Sequence, residues 1–347
     1  MSHRLNIGFT LNSFRKGGIE KCTLELIIAL QNAGHGVYVF LFNDIHELDS
    51  SSVQNLILCN SEHDCVIANK VRESHAKTPL DAVIHTRHSV RTPFIEQSFY
   101  IVHNVLSERL KSKGFFNRLK KTFRHRRELN NQRIICVSNA VKSDMITKVK
   151  VRPQSASVIY NGFDIKHIRE LALHTPCQYS GHIVSVGSFN TVKRHDLLLR
   201  AFCLQKRFDN LVLVGDGKNL DAINRQIVEL NIQTRVKLLG WQDNPYPVIK
   251  SADALIVSSD SESFSSVVAE ALILGTPVVT TDCEGPREIL GGTLQRYISP
   301  CGDAAALARN IESLNKDDFS HCEDIIKRLD MNQIVTKYEA LITNREP

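Results

Sequence analysis

Two glutamates, Glu262 and Glu270, stand with seven residues between them in the segment S-S-D-S-E-S-F-S-S-V-V-A-E-A-L-I-L-G, Ser258 to Gly275. Glu262 follows a strand-like run, and Glu270 falls inside the helix that comes next, with Ser265 or Ser266 marking its start. Two carboxylates so placed can accept hydrogen bonds from the hydroxyls of a sugar and a ribose. The helix N-terminus between them favours a phosphate. A second loop, G-S-F-N-T-V-K-R-H (Gly187 to His195), brings Lys193 and Arg194 to a helix start, where cations beside free backbone donors suit a diphosphate. A third, F-R-K-G-G (Phe14 to Gly18), places Gly17 and Gly18 before a helix, so that backbone N–H groups can approach an anion closely. Plainer readings stand beside each: two surface glutamates, a solvated basic loop, a tight turn. Neither a G-x-x-x-x-G-K-[ST] loop nor a G-x-G-x-x-G fingerprint is present.

The elements that must hold these loops alternate between strand and helix. Leu5–Leu11 reads as a strand, residues 19–33 as a helix with one apolar face, and Val37–Phe42 as a strand buried on both faces. Further strands are expected at Asn55–Cys59, Asp81–His85, Ser98–His103, Arg133–Val137 and Ser157–Tyr160. The pattern restarts at His182–Val186 and continues through Leu211–Val214, Val236–Leu239, Ala254–Val257 and Val278–Thr280, with helices between. Two such series predict two doubly wound parallel sheets, in which ligands bind beyond the carboxyl ends of the strands. The division is expected as an N-terminal domain over residues 1–170, a C-terminal one over 171–325, and a last helix within 326–347 (Met331 to Ile342) that can belong to either. The join lies between Gly162 and His182, near Pro176.

Composition excludes several classes. Of 347 residues, 42% are apolar, enough for two cores, and no apolar run reaches the ~18 residues that cross a bilayer. The first residues show no charged stretch followed by an apolar one, so a cytoplasmic protein without a signal peptide is expected. Nine cysteines are scattered with no C-x-x-C, which reads as reduced thiols outside any metal or disulfide framework. The net charge of +6 is concentrated: Arg109 to Arg133 is crowded with Lys and Arg, and Phe115, Phe116, Leu119 and Phe123 fall near one helical face. Such a helix can lie on an anionic bilayer, with Phe115 and Phe116 inserted and Lys120, Lys121 and Arg124 on lipid phosphates. No RNA module interleaves aromatics in this way, so nucleic acid is not expected.

Taken together the motifs resemble the family-4 retaining glycosyltransferases of GT-B fold. The glutamate pair followed by G-T-P-V-V (Gly275 to Val279), Y-N-G-F-D (Tyr160 to Asp164), C-V-S-N-A-V (Cys136 to Val141), V-G-D-G (Val214 to Gly217) and the Gly17-Gly18 loop occur in that family's order. The resemblance implies an α/β GT-B architecture of two Rossmann-like domains facing each other across a cleft. It implies transfer of a hexose or N-acetylhexosamine from a nucleotide diphosphate sugar, UDP-linked by resemblance, to a saccharide acceptor such as lipopolysaccharide core or another lipid-linked glycan at the inner face of the cell membrane. Glu270 would take the ribose, and Glu262 the donor sugar. Lys193 would hold the diphosphate, helped by Gly18 and by N–H groups near Ser265 and Ser266. His103, in Y-I-V-H-N, matches a histidine near the reacting carbon.

Two departures from the family pattern are evident. Ser188 stands where an arginine is common, leaving Arg194 to replace that charge or Lys193 to act alone, and Ser265 stands where glycine is common. Without D-x-D or H-E-x-x-H, the expectation is transfer without metal or cofactor, by front-face displacement. Two other functions fit the motifs: a nucleotide-sugar 2-epimerase of the same fold, and a basic binding protein with a degenerate nucleotide site.

Overall fold

The computed structural model describes residues 4–108, 114–174 and 181–344. Pro176, Cys177 and the start of the basic segment, Arg109 to Lys113, lie outside the described residues. The chain divides into two compact units, residues 1–162 with 331–347 and residues 163–330.

The first unit is built on seven parallel strands: β1 (Asn6–Leu11), β2 (Gly36–Leu41), β3 (Asn55–Leu58), β4 (Ala82–His85), β5 (Ser98–Val102), β6 (Arg133–Cys136) and β7 (Ser155–Val158). Their spatial order is β3-β2-β1-β4-β5-β6-β7. The apolar runs predicted these strands because a parallel sheet is covered on both faces: Ile7, Phe9, Val39, Ile84 and Ile135 are fully buried. Each such side chain contributes roughly 1.5–3 kcal/mol by leaving water. At the edge the register moves. The strand expected at Ser157–Tyr160 lies two residues earlier, because polar, part-exposed Ser155–Val158 pairs with β6.

Gly162 ends this part of the unit. A Cβ there would stand 2.7 Å from Met331 Sδ and 3.1 Å from Ile334 Cβ, so the helix Met331–Ile342 packs directly on its backbone. His35 tethers the same helix: its Nδ1 accepts from the Leu5 N–H at 3.2 Å, and its Nε2 donates to Glu339 at 2.8 Å.

The second unit has six parallel strands: β8 (His182–Val186), β9 (Asn210–Val214), β10 (Val236–Leu238), β11 (Ala254–Val257), β12 (Val278–Thr281) and β13 (Ile298–Ser299), in the order β10-β9-β8-β11-β12-β13. Its first helix, Ile165–Leu171, is capped by Asp164, whose carboxylate accepts from the His167 N–H at 2.9 Å. Arg169 donates to the Ile273 carbonyl, and Asn244 to the Leu171 carbonyl. These bonds draw the stretch 163–170, expected in the N-terminal domain, into the second unit.

Both sheets are doubly wound. In each, the chain leaves two central neighbours in opposite directions, β1 and β4 in the first unit, β8 and β11 in the second. A crevice opens at the carboxyl ends of such a pair.

Candidate functional site

In the second unit the crevice between β8 and β11 receives the two loops singled out above. The loop after β8 is seated on V-G-D-G. Gly215 has φ +141°, and a Cβ on it would overlap the Gly187 carbonyl; at Gly217, φ +152°, a Cβ would stand 2.5 Å from the Phe189 carbonyl oxygen. Phe189 donates its N–H to the Asp216 carbonyl at 2.8 Å. Asn190 then caps a 3-10 turn, its side chain accepting from the Val192 and Lys193 N–H groups. The turn aims Lys193 at the loop after β11, where its Nζ meets Glu262 Oε1 at 2.6 Å. Ser259 Oγ donates to the same carboxylate oxygen at 2.8 Å. With the pair closed, the pocket under Gly187, Lys193 and Glu262 holds only about 10 Å³, too little for a ligand.

Arg194 is directed elsewhere. It sits in the left-handed region at φ 50°, with its guanidinium on Asp196 at 2.9 Å and Asp260 at 3.0 Å. Two carboxylates thus hold Arg194, one of the two cations considered for the charge absent at Ser188; the other, Lys193, faces Glu262. His195 begins the helix His195–Leu204 edge-on to Phe189. Burial, reinforced by the Lys193 charge, lowers its pKa to about 4, so it adds no charge at neutral pH.

Ser265 precedes the helix Ser266–Ile273 at φ 73°, the backbone conformation that favours glycine. It makes no side-chain cap bond, contrary to the capping role its type suggests, and its Oγ is buried with no hydrogen-bond partner. Buried hydroxyls are seldom left so. Gly285 allows the following helix to press on the Phe264 backbone. Glu270 lies within Ser266–Ile273, buried, and accepts from the Tyr246 hydroxyl at 3.3 Å. The structure therefore brings Lys193, Glu262, Ser265, Ser266 and Glu270 onto two neighbouring loops and one helix.

In the first unit, the crevice between β1 and β4 widens into a cavity of about 740 Å³. His85 pins the two strands together, Nδ1 on Thr10 Oγ1 at 3.0 Å and Nε2 on Thr92 Oγ1 at 2.9 Å. Gly17 and Gly18 open the helix Gly18–Asn32, and the Glu20 carboxylate of its first turn folds back beside Gly17, where a Cβ would overlap Glu20 Oε2. His103, the residue after β5, lines the cavity with its Nε2 sealed from solvent and unpartnered. Burial, with a smaller contribution from His88, lowers its pKa to about 3.

Sequence reasoning missed the neighbours of His103. His88, His125 and Glu128 offer ligand atoms within 4.8 Å of one another, a set able to hold a metal ion. Glu128 also accepts from Arg124 at 2.7 Å, and Arg87 and Lys121 line the same cavity, so hydroxyls or an anion suit it equally. The H-x-x-E spacing of His125 and Glu128 was the available signal.

The helix Phe115–Leu129 presents two faces. Lys121, Arg124, His125 and Glu128 line the cavity, at helical spacing, whereas Phe116, Leu119 and Phe123 are exposed at 84%, 59% and 69%. Lys121 and Arg124, expected on lipid, thus belong to the cavity face. Lys120 is exposed, and the Phe115 side chain lies outside the described residues. Among the described residues no helix is long and apolar enough to cross a membrane.

Two family models divide the chain. Residues 16–167 match the one described as Glycosyltransferase Family 4, and residues 180–330 the one described as Glycosyl transferases group 1. The N-acetylgalactosamine-N,N'-diacetylbacillosaminyl-diphospho-undecaprenol 4-alpha-N-acetylgalactosaminyltransferase of Campylobacter jejuni is 30% identical over 176 residues, 50% of this chain and 48% of that one. The lipopolysaccharide core biosynthesis glycosyltransferase LpsE of Rhizobium meliloti is 34% identical over 136 residues, 39% of this chain and 40% of that one. The chain thus spans about half or less of these curated relatives. Anabaena Alr3699/HepE, solved with UDP and glucose, superposes with a TM-score of 0.82 over 98% of this chain and 100% of that one at 20% identity, a likeness of fold.

His103 and His85, whose pKa is likewise lowered to about 3 by burial and then Arg91, bind fewer protons folded than unfolded between pH ~6.5 and ~3. Stability therefore falls as pH drops through that window. NMR titration should show both rings neutral down to pH ~5; a midpoint near 6.5 for His103 would mean an open, solvated ring.

Proposed function

The chain belongs to the family-4 glycosyltransferases of GT-B fold, and from that premise we propose that it transfers a hexose or N-acetylhexosamine from a UDP-sugar to a lipid-linked saccharide with retention of anomeric configuration. The observation that carries this reading is the Lys193–Glu262 pair, closed over the β8/β11 crevice beside the unpartnered Ser265 hydroxyl. Both groups are satisfied by one ligand, a sugar diphosphate. The diphosphate takes Lys193 and the N–H groups at Ser265 and Ser266, the sugar hydroxyls take Glu262, and the ribose takes Glu270.

The departing nucleotide gains negative charge as the glycosidic bond breaks. Preorganised donors of this kind contribute about 3–4 kcal/mol each to such a step. In this reading Lys193 and backbone amides meet that charge without a metal. UDP as the carrier is supported by the nucleotide bound to the Anabaena protein of like fold. A 2-epimerase gains no support, since both matching models describe glycosyltransferases.

The acceptor would enter the cavity of the first unit, where neutral His103 can accept a hydrogen bond from a hydroxyl near the reacting carbon. The outward face of Phe115–Leu129 would rest on an anionic leaflet at the inner face of the cell membrane, placing a lipid-linked acceptor within reach. The acceptors named for the Campylobacter and Rhizobium relatives support this choice.

A panel of UDP-, GDP- and ADP-sugars, read by mass spectrometry for hydrolysis and by thermal shift for binding, should single out a UDP-sugar. Lys193→Ala should weaken UDP binding, by about 10- to 100-fold if one charged hydrogen bond of roughly 1.5–3 kcal/mol is lost. Glu262→Ala and Glu270→Ala should abolish transfer with the fold intact. Full activity in either glutamate variant would remove the assignment. Co-sedimentation with phosphatidylglycerol vesicles should fall with rising salt and be lost in Phe116→Ser/Phe123→Ser; absence of binding at low salt contradicts the membrane contact.

A further inference from the structure

β12 and β13 pair in parallel with Thr281 opposite Ser299. Cys283 and Cys301 each stand two residues beyond that last pair, at matching positions where the two strands end. Neighbouring strands run about 4.8 Å apart, within the Cα–Cα span of about 4.4–6.8 Å that a disulfide accepts. The two sulfurs converge on one atom. Cys283 Sγ lies 3.1 Å from the Ser259 carbonyl oxygen and Cys301 Sγ 3.8 Å from it. Thr281 Oγ1 donates to the same oxygen. Cys301 Sγ also lies 3.5 Å from the Asp282 carbonyl oxygen, so both sulfurs sit over the same short stretch of backbone at the strand ends.

The pair is asymmetric. Cys301 is exposed and Cys283 buried. The neighbouring Cys283 thiol lowers the Cys301 pKa, against burial and the Asp260, Asp282 and Glu284 charges, while Cys301 and burial raise that of Cys283. An accessible sulfur that gains thiolate character beside a buried partner has the layout of an attacking and a resolving thiol.

We propose that Cys283 and Cys301 form a modification site for peroxide, closed to a disulfide, with Cys301 as the attacking sulfur. The Cys301 thiolate attacks one peroxide oxygen. An S–O bond forms, the O–O bond breaks, and the other oxygen leaves as water after taking a proton. Cys283 Sγ then attacks the Cys301 sulfenic acid, the S–S bond forms, and the hydroxyl leaves with the Cys283 proton as a second water. Two thiols are oxidised and one hydrogen peroxide is reduced to two waters.

The consequence for the crevice rests on the donor-site reading above. Ser259 holds Glu262 through its Oγ, and its carbonyl accepts from both Thr281 Oγ1 and Cys283 Sγ. Closing the disulfide withdraws that S–H donor, and UDP affinity falls about five-fold, the effect of one hydrogen bond of roughly 1 kcal/mol.

The reduced full chain is treated with stepwise hydrogen peroxide, its remaining thiols are alkylated, and its peptides are mapped by mass spectrometry. The expected product is a Cys283–Cys301-linked peptide, reversed by dithiothreitol and absent in Cys301→Ser. In Cys283→Ser, Cys301 stops at a sulfenic acid that dimedone traps. Oxidation of Cys301 to sulfinic acid in the wild type, or its pairing with another cysteine, overturns the proposal. UDP titration of the same samples should show the five-fold loss in the wild type and none in Cys301→Ser. Unchanged affinity in the disulfide form overturns the link to Ser259. A reduced protein that binds no UDP fails the donor reading while the linked peptide still stands.

Discussion

Lys193 and Glu262 are 69 residues apart in sequence and 2.6 Å apart in the fold. Their side chains are about 26% and 11% exposed, so the pair is part-desolvated. Breaking such a pair without replacing a partner leaves a charge with little water, which is costly. The surrounding structure is arranged to hold it: glycines at 215 and 217 let the Lys193 loop sit low on the sheet, Asn190 caps the turn that aims it, and Ser259 fixes the carboxylate. A ligand that offers an anion to the lysine and hydroxyls to the glutamate opens the crevice at little electrostatic cost.

The first unit repeats the winding but not the chemistry. Its crevice is pinned by a neutral buried His85 between two threonines and opens into a large cavity flanked by histidines and cations. The helix Phe115–Leu129 spends one face on that cavity and leaves apolar side chains on the other. In soluble proteins exposed aromatics at such spacing mark a contact surface. The helix thus has two distinct faces, separated by rotation about its axis.

The sheets were legible in the sequence because central parallel strands must be apolar on both faces; β1, β2, β8 and β11 announce themselves. Strands with little to bury were missed, as β13 was, or misplaced by two residues, as β7 was. β13 has two residues, and β7 is polar and part-exposed. The helix Asp64–Lys77 also escaped notice, since it buries only Ile67 and Val71 along its length. Glu262, Glu270 and Lys193 could be singled out as candidates by spacing and by resemblance, because strand-to-helix loops carry sites in this architecture.

Interactions set by register or rotation could not be found that way. The closure of Lys193 on Glu262, the capture of Arg194 by Asp196 and Asp260, and the meeting of Cys283 with Cys301 depend on which strands pair and where. The cysteines looked scattered because 283 and 301 are distant in sequence; a single parallel register makes them neighbours.

The central claim is that the donor replaces the Lys193–Glu262 contact. A crystal structure of the protein with UDP-glucose tests it most directly. The account predicts a β-phosphate oxygen within hydrogen-bond distance, about 2.7–3.2 Å, of Lys193 Nζ, the glucose hydroxyls on Glu262, and the ribose on Glu270. A nucleotide bound elsewhere, with Lys193 still closed on Glu262, would contradict it.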